Sequence, residues 1–277
     1  MTQAAHAAAI ELAHDELIWL LAALGLPPMI GMAERFFDDD LNEETAAARL
    51  MSGATSLRAR RLMNSDGKTT VIDSFILGLL GAYAFAAQIA VVNITPIPDD
   101  SSNLWTYYRG GRLCIEHTLI APGVHRLTAL DDTLSSQRIA ARLPLSDAAT
   151  WQMDAQPLPT NALTETIQRA KSGDQAGAEA LLVSVGWDGA AAAAFVHVLV
   201  TQTGGASIAL LSAEGAGEQR RLNGADSLIV IASPDANAVI VAVGEDGSGA
   251  AFSAVALLTS EGVRMHLDAV LFLSGVI

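Results

Sequence analysis

The chain has 277 residues, a formal charge of -14 at neutral pH and a hydrophobic share of 51%, with a sequence pI near 4.7 and a mean hydropathy of +0.35. A field of that sign repels phosphate backbones and anionic lipid, so nucleic-acid and membrane-surface roles are disfavoured. The single cysteine, Cys114, excludes an intrachain disulfide and suits a reducing compartment; with no basic leader in the first ten residues, a cytoplasmic location is expected.

The N-terminal third reads as helical. Ala4 to Gly25 carries Leu12, Leu17, Ile18, Leu20, Leu21 and Leu24 on a broad apolar face and stops at Gly25 and Pro27-Pro28. Asn42, followed by Glu43 and Glu44, resembles an N-cap, and Leu50, Met51, Ala54, Leu57 and Leu62 continue a helical period to the turn Asn64-Ser65-Asp66-Gly67. A third helix is predicted over Val71 to about Ala82. The uncharged stretch from Ser74 to Val92 reaches the length of a membrane span, but Gly78, Gly81 and Gln88 interrupt it and its second half is β-branched, so no span is expected.

Strands follow. Gln88 to Thr95 is β-rich and ends in the loop Pro96 to Asn103; Leu104 to Tyr108 and Leu113 to Ile120 flank a Gly110-Gly111 turn as a hairpin; Val124 to Leu130 adds another strand. Prolines 144, 157 and 159 mark a linker over 144–160, dividing the chain into halves 1–143 and 161–277. The order then repeats: helix over Asn161 to about Leu182, interrupted near Gly173 and Gly177; an Ala-rich helix Ala190 to Val200; strands at Ser207–Leu211, Leu228–Ala232, Ala238–Val243, Phe252–Thr259 and Arg264–Phe272. The expected fold is α+β, two similar halves, each of helices followed by an antiparallel β meander, in a pseudo-twofold arrangement.

The residues that carry chemistry are few. The six histidines show no zinc spacing with each other or with Cys114. His117 and His125 can meet across neighbouring strands, but Glu116 and His117 are adjacent and point to opposite faces, so these are read as ordinary strand-surface residues. Asp38-Asp39-Asp40 lacks the alternation of a calcium loop; Gly244 to Gly249 lacks the Gly-Lys-Ser/Thr ending of a phosphate loop; Ser65-Asp66-Gly67-Lys68 reads as a turn. No catalytic residue, metal ligand or cofactor site is therefore assigned. Arg58, Arg60, Arg61 and Lys68 form the one basic cluster, placed as in a winged helix. Trp105, Tyr107 and Tyr108, with the preceding loop residues Pro98, Asp99 and Asp100, form the candidate partner-binding surface, because aromatics beside an adaptable loop anchor interfaces.

Asp15-Glu16-Leu17 through Leu26-Pro27-Pro28, then Ala46 to Leu50, Ser56 to Leu62 and Asp66-Gly67, resembles the opening of the EspG family, the cytosolic chaperones of mycobacterial type VII secretion. The similarity is clearest over residues 14–130; Arg61-Leu62 stands where that family often has Gly-Leu. The resemblance implies a non-enzymatic, chaperone-like protein that binds another polypeptide. Two alternatives stand beside it: a winged-helix-like transcription regulator using Arg58 to Lys68, and an enzyme whose site is scattered through the sequence.

Overall fold

A computed structural model describes residues 8–32, 43–66, 68–96, 103–111, 113–130, 132–215, 220–245 and 251–273. The fold is α+β with an antiparallel sheet, and the chain divides into two compact units: Met1–Val91, Leu104–Ser135 and Leu211–Gly224 form the first, and Val92–Asn103, Ser136–Leu210 and Ala225–Ile277 the second.

The first unit opens with strand β1 (Ala9–Ala13), helix α1 (His14–Ala23) and helix α2 (Glu43–Ala59). A small hairpin, β2 (Met63–Ser65) and β3 (Thr70–Ile72), leads into helix α3 (Ser74–Ala84) and strands β4 (Gln88–Pro96, in this unit up to Val91), β5 (Asn103–Gly110), β6 (Leu113–Ala121) and β7 (Val124–Leu130); helix α4 (Asp132–Arg142) follows, with residues 136–142 in the second unit. Its strands neighbour one another in the order β1-β7-β6-β5-β4. The core gathers Leu17, Leu20 and Leu21 of α1, Leu57 of α2, Ile76, Leu79, Leu80 and Tyr83 of α3 and Tyr108, Ile115 and Leu127 of the sheet. Asp73 caps α3 by accepting from the amides of Phe75 and Ile76. At the other end of α3, Arg220 donates to the Tyr83 and Ala86 carbonyls and lies 5.1 Å from the Tyr83 ring centroid, placing a cation at the negative end of the helix dipole.

The second unit contains β8 (Met153–Pro159), helices α5 (Thr160–Lys171), α6 (Gln175–Ser184) and α7 (Gly189–Val200), strands β9 (Gly204–Glu214, in this unit up to Leu210), β10 (Arg221–Ala232, in this unit from Ala225), β11 (Asn237–Glu245) and β12 (Ala251–Leu258), and helix α8 (Ser260–Leu273). Its strand order is β9-β10-β11-β12-β8. Leu163, Leu182, Trp187, Phe195, Val196 and Leu199 of the helical layer pack with Leu158, Ala238, Ile240, Val255 and Leu257 of the sheet. The break between α5 and α6 falls where the sequence places it, at Gly173 with φ +86°, and Asp174 then caps α6 through the Gly177 amide.

In each unit the outermost strand precedes the helices in sequence and pairs antiparallel with the last strand of the meander, β1 on β7 and β8 on β12. Side chains cover the outer rim of each. On β1, Arg60 donates to the Glu11 carbonyl at 2.8 Å and the Ala13 amide donates to the Glu16 carboxylate at 2.8 Å. On β8, Pro157 and Pro159 lie two apart, so both missing N–H groups fall on one side, and the Trp187 indole takes the Pro157 carbonyl there at 3.1 Å.

Three sequence expectations are corrected. The single helix over Ala4 to Gly25 is a strand and a helix within its described part, because pairing with β7 overrides the helix propensity of alanine. Residues 153–159, expected as linker, form β8. The strand expected over Arg264–Phe272 is helix α8: Val263 and Leu267, four apart, are buried apolar positions of it, and the Gly262 amide donates to the Thr259 hydroxyl at its start. The stretch after Leu130 contains α4, whose Ile139 and Ala140 are buried. The uncharged window from Ser74 divides into α3 and β4, and no helix among the described residues is long and apolar enough to cross a membrane.

Gly53 fixes the approach of α2 to α1, since a Cβ there stands 2.1 Å from the Asp15 carbonyl oxygen. Replacing a mid-helix glycine by alanine ordinarily stabilises by up to about 1 kcal/mol. Here Gly53→Ala is expected to destabilise by about 1–3 kcal/mol through backbone displacement, read as a lower urea midpoint at unchanged slope.

Candidate functional site

Helix α7 has the sequence GAAAAAFVHVLV and is capped by Asp188, which accepts from the amides of Ala190 and Ala191. One face carries Ala192, Phe195, Val196 and Leu199 into the core. The opposite face, Ala190, Ala193, Ala194, His197 and Thr201 at helical spacing, lines an open cleft of about 610 Å³. Gln175 and Glu179, one turn apart on α6, contribute to the lining, together with Trp151 from the segment before β8.

Asp235 organises this cleft. Its backbone carbonyl accepts from the amides of Thr150 and Trp151 at 3.0 and 3.1 Å, and its carboxylate lies 2.8 Å from His197 Nε2. The turn carrying Asp235 is closed by Ser233, whose hydroxyl donates to the Ala236 carbonyl. The Trp151 ring stands 5.1 Å from the His197 ring, centroid to centroid, and remains 40% exposed. Small alanines let another surface approach α7 closely. The indole offers a large contact area and the Glu179 and Asp235 carboxylates offer acceptors for a basic or amide-bearing partner.

The surface expected at the β5–β6 hairpin is largely internal. Tyr107 is buried and donates to the Glu116 carboxylate at 3.0 Å; Tyr108 is fully buried and its hydroxyl accepts from the Ile30 amide at 2.7 Å. Burial holds the Tyr108 phenol well above its ordinary pKa, and pushes that of Tyr83, 4.9 Å away edge-on, up to about 12. Alternation along β5 predicts one of the two tyrosines outside, but both sides of this strand are covered. Trp105 alone of the three is partly exposed, next to the exposed apolar residues Leu104, Leu119 and Ile120. Pro98, Asp99 and Asp100 lie outside the described residues, as do Asp38 to Asp40 and residues 246–249.

The histidine reading is corrected as well. His117 and His125 are buried, not surface residues, and His14 joins them. His14 Nδ1 lies 2.5 Å from His125 Nε2, and His125 Nδ1 lies 2.9 Å from His117 Nε2. Glu116 does take the opposite face, where it meets Tyr107. Within the basic cluster, Arg60 is committed to the Glu16 carboxylate at 2.5 Å, a group that also accepts from Ser56 at 2.7 Å. Asp66 closes the β2–β3 turn by accepting from the amides of Lys68 and Thr69, which lowers its pKa.

Trp151, His197 and Asp235 escape a sequence reading because they lie in three separate segments. Only Trp151, a lone aromatic in a Pro- and Asp-rich stretch, carries a local signal. The Tyr108 hydroxyl gives a direct check on the hairpin assignment. Tyr108→Phe is expected to cost about 1–3 kcal/mol of stability by leaving the Ile30 amide unpaired, read in urea unfolding; an exposed Tyr108 costs nothing measurable.

No family model and no curated protein matches the chain. Among solved structures it is similar to the Mycobacterium tuberculosis type VII secretion system chaperone EspG5 in complex with the PE25–PPE41 dimer. The TM-score is 0.62 at 13% identity, over 95% of this chain and 96% of that one. At this identity the likeness is one of fold.

Proposed function

We propose that this chain is a non-enzymatic, chaperone-like protein of the cytoplasm that binds another polypeptide, with a PE–PPE-type heterodimer as its class of client. The observation that carries the reading is end-to-end agreement of fold with a secretion chaperone, 95% of one chain on 96% of the other. A likeness confined to one unit would give the argument far less weight, because folds host many functions. The acidic charge and the open cleft beside α7 fit the same reading: alanines for close approach, Trp151 as anchor, Glu179 of the lining and Asp235, paired with the lining His197, as acceptors. The exposed Leu104, Leu119 and Ile120, beside the partly exposed Trp105, favour a second contact surface at the end of the β5–β6 hairpin, adjoining Pro98, Asp99 and Asp100 in sequence.

The test is titration of the purified protein with PE25–PPE41 and with PE–PPE pairs from its own source, by calorimetry and co-elution. Saturable one-to-one binding by at least one pair is expected. Trp151→Ala is expected to weaken it by roughly 30-fold, the equivalent of about 2 kcal/mol, with an unchanged melting temperature. Failure of every pair to bind overturns the client class. Retained affinity in Trp151→Ala together with a loss in Trp105→Ala moves the contact to the hairpin.

A further inference from the structure

Three imidazoles in a row join elements far apart in sequence. His14 begins α1, directly after β1; His117 lies on β6 and His125 on β7. All three are buried, at 8%, 3% and 1% exposure. The rings of His14 and His125 are 4.8 Å apart and those of His125 and His117 are 5.2 Å apart and stacked. His14 also lines a small open cleft of about 280 Å³ with Ala13, Asp15, Glu16, Ser52, Gly53, Ser56 and Gly123, which gives water a route to that end of the row.

Proton counting shows what such a row tolerates. An N···N hydrogen bond holds one proton, so the two contacts hold two, and the third proton of three neutral rings sits on an outer nitrogen, His14 Nε2 or His117 Nδ1. A fourth proton fills the other outer nitrogen and leaves both contacts made, with the charge able to rest on any ring. A fifth must enter a contact that already holds one. Two N–H groups then face each other in that contact while two of the three rings carry charge, and that link is lost.

We propose that His14, His125 and His117 form an acid-operated latch that keeps β1 and the start of α1 on the β6–β7 hairpin, remaining closed through its first added proton and opening on the second. Burial lowers the His14 and His125 pKa to about 4 and that of His117 to about 3, against an ordinary value near 6.5. The sign follows from linkage. The open form binds more protons than the closed one below pH 6.5, so the latch is at full strength above that value and weakens as pH falls toward 4. Other charged groups face the row or adjoin it. Asp15 and Glu16 come from α1, with Glu16 held by Ser56 and Arg60. Arg49 of α2 adds its charge to the burial of His14. Glu11 of β1 is paired with Arg126 of β7, and Glu116 lies on the other sheet face.

The test is amide hydrogen exchange on the intact chain between pH 7.5 and 4.5, corrected for the intrinsic rate. Each extra proton bound on opening raises the opening equilibrium about tenfold per pH unit. The amides of Leu12, His14 and Leu127 are expected to lose protection about 100-fold or more per unit below pH 5.5, ahead of Leu79 and Leu80 in α3. In the triple variant H14Q/H117Q/H125Q that local pH dependence is expected to vanish, whereas Glu16→Gln is expected to keep it. Uniform loss across the unit, retention of the local loss in the triple variant, or its disappearance in Glu16→Gln overturns the latch. Should the triple variant not fold, imidazole nitrogen NMR of the unaltered protein decides. Coupled protonation steps below pH 5, with local exchange rising at the second, support the latch; three independent titrations near pH 6.5 overturn it.

Discussion

Each unit depends on a strand whose pairing partner lies far along the chain, beyond the helices. β1 pairs with β7, which follows α1, α2, α3 and the rest of the meander in sequence, and β8 pairs likewise with β12 beyond α5, α6, α7 and three strands. Pairing across so many residues costs loop-closure entropy before it returns any hydrogen bond. That cost constrains what the outer strands contain. Both carry a fully buried leucine, Leu12 in β1 and Leu158 in β8, and both are tied by side chains from the helical stretch they precede: Glu16 of α1 and Arg60 just after α2 in one unit, Trp187 between α6 and α7 in the other. The helices are in effect the crossover connection, held against the sheet because the chain must return across it.

The same elements explain which parts were legible in the sequence. The meanders could be read because alternation, Gly-Gly turns and β-branched runs are local signals. The α5–α6 break could be read from Gly173, whose positive φ favours glycine. The outer strands could not. β1 is AIELA, at the head of a run that looks helical, and β8 is MDAQPLP, whose two prolines look like a linker. Each is a strand only because a distant partner makes it one. Helix α8 misleads in the opposite way, since VRMHLDAVLF is rich enough in β-formers to suggest a strand, and only the spacing of Val263 and Leu267 favours the helix. The candidate surfaces were less legible still. The sequence singles out Tyr107 and Tyr108 as aromatics near a loop, whereas what decides their role is burial and the hydroxyl partners Glu116 and Ile30.

The two units use their polar groups differently. In the first, Glu16, Tyr107, Tyr108 and the imidazole row are buried and hold strands and helices to one another. Removing such a group leaves its partner unsatisfied in the interior, so these positions answer to stability measurements. In the second, His197 and Asp235 pair at 42% and 44% side-chain exposure beside a tryptophan that is still open. A pair so exposed contributes little to the fold, on the order of 1 kcal/mol or less. Its arrangement is better explained by presentation: Asp235 orients His197 with its carboxylate and Trp151 with its backbone, so one residue sets two side chains of the cleft.

The covered rims of β1 and β8 bear on how this protein can associate at all. An outer strand with bare N–H and C=O groups is a template on which another chain can lay a strand, the route to fibrils and to peptide capture by β-augmentation. Here the template is blocked at Glu11 and Ala13 by side chains and at Pro157 and Pro159 by chemistry, since proline has no hydrogen to donate. A polypeptide bound at those rims must therefore be recognised by side-chain contact, with its own backbone hydrogen bonds already satisfied, as those of a helix are. At those positions an extended segment finds no ladder to join.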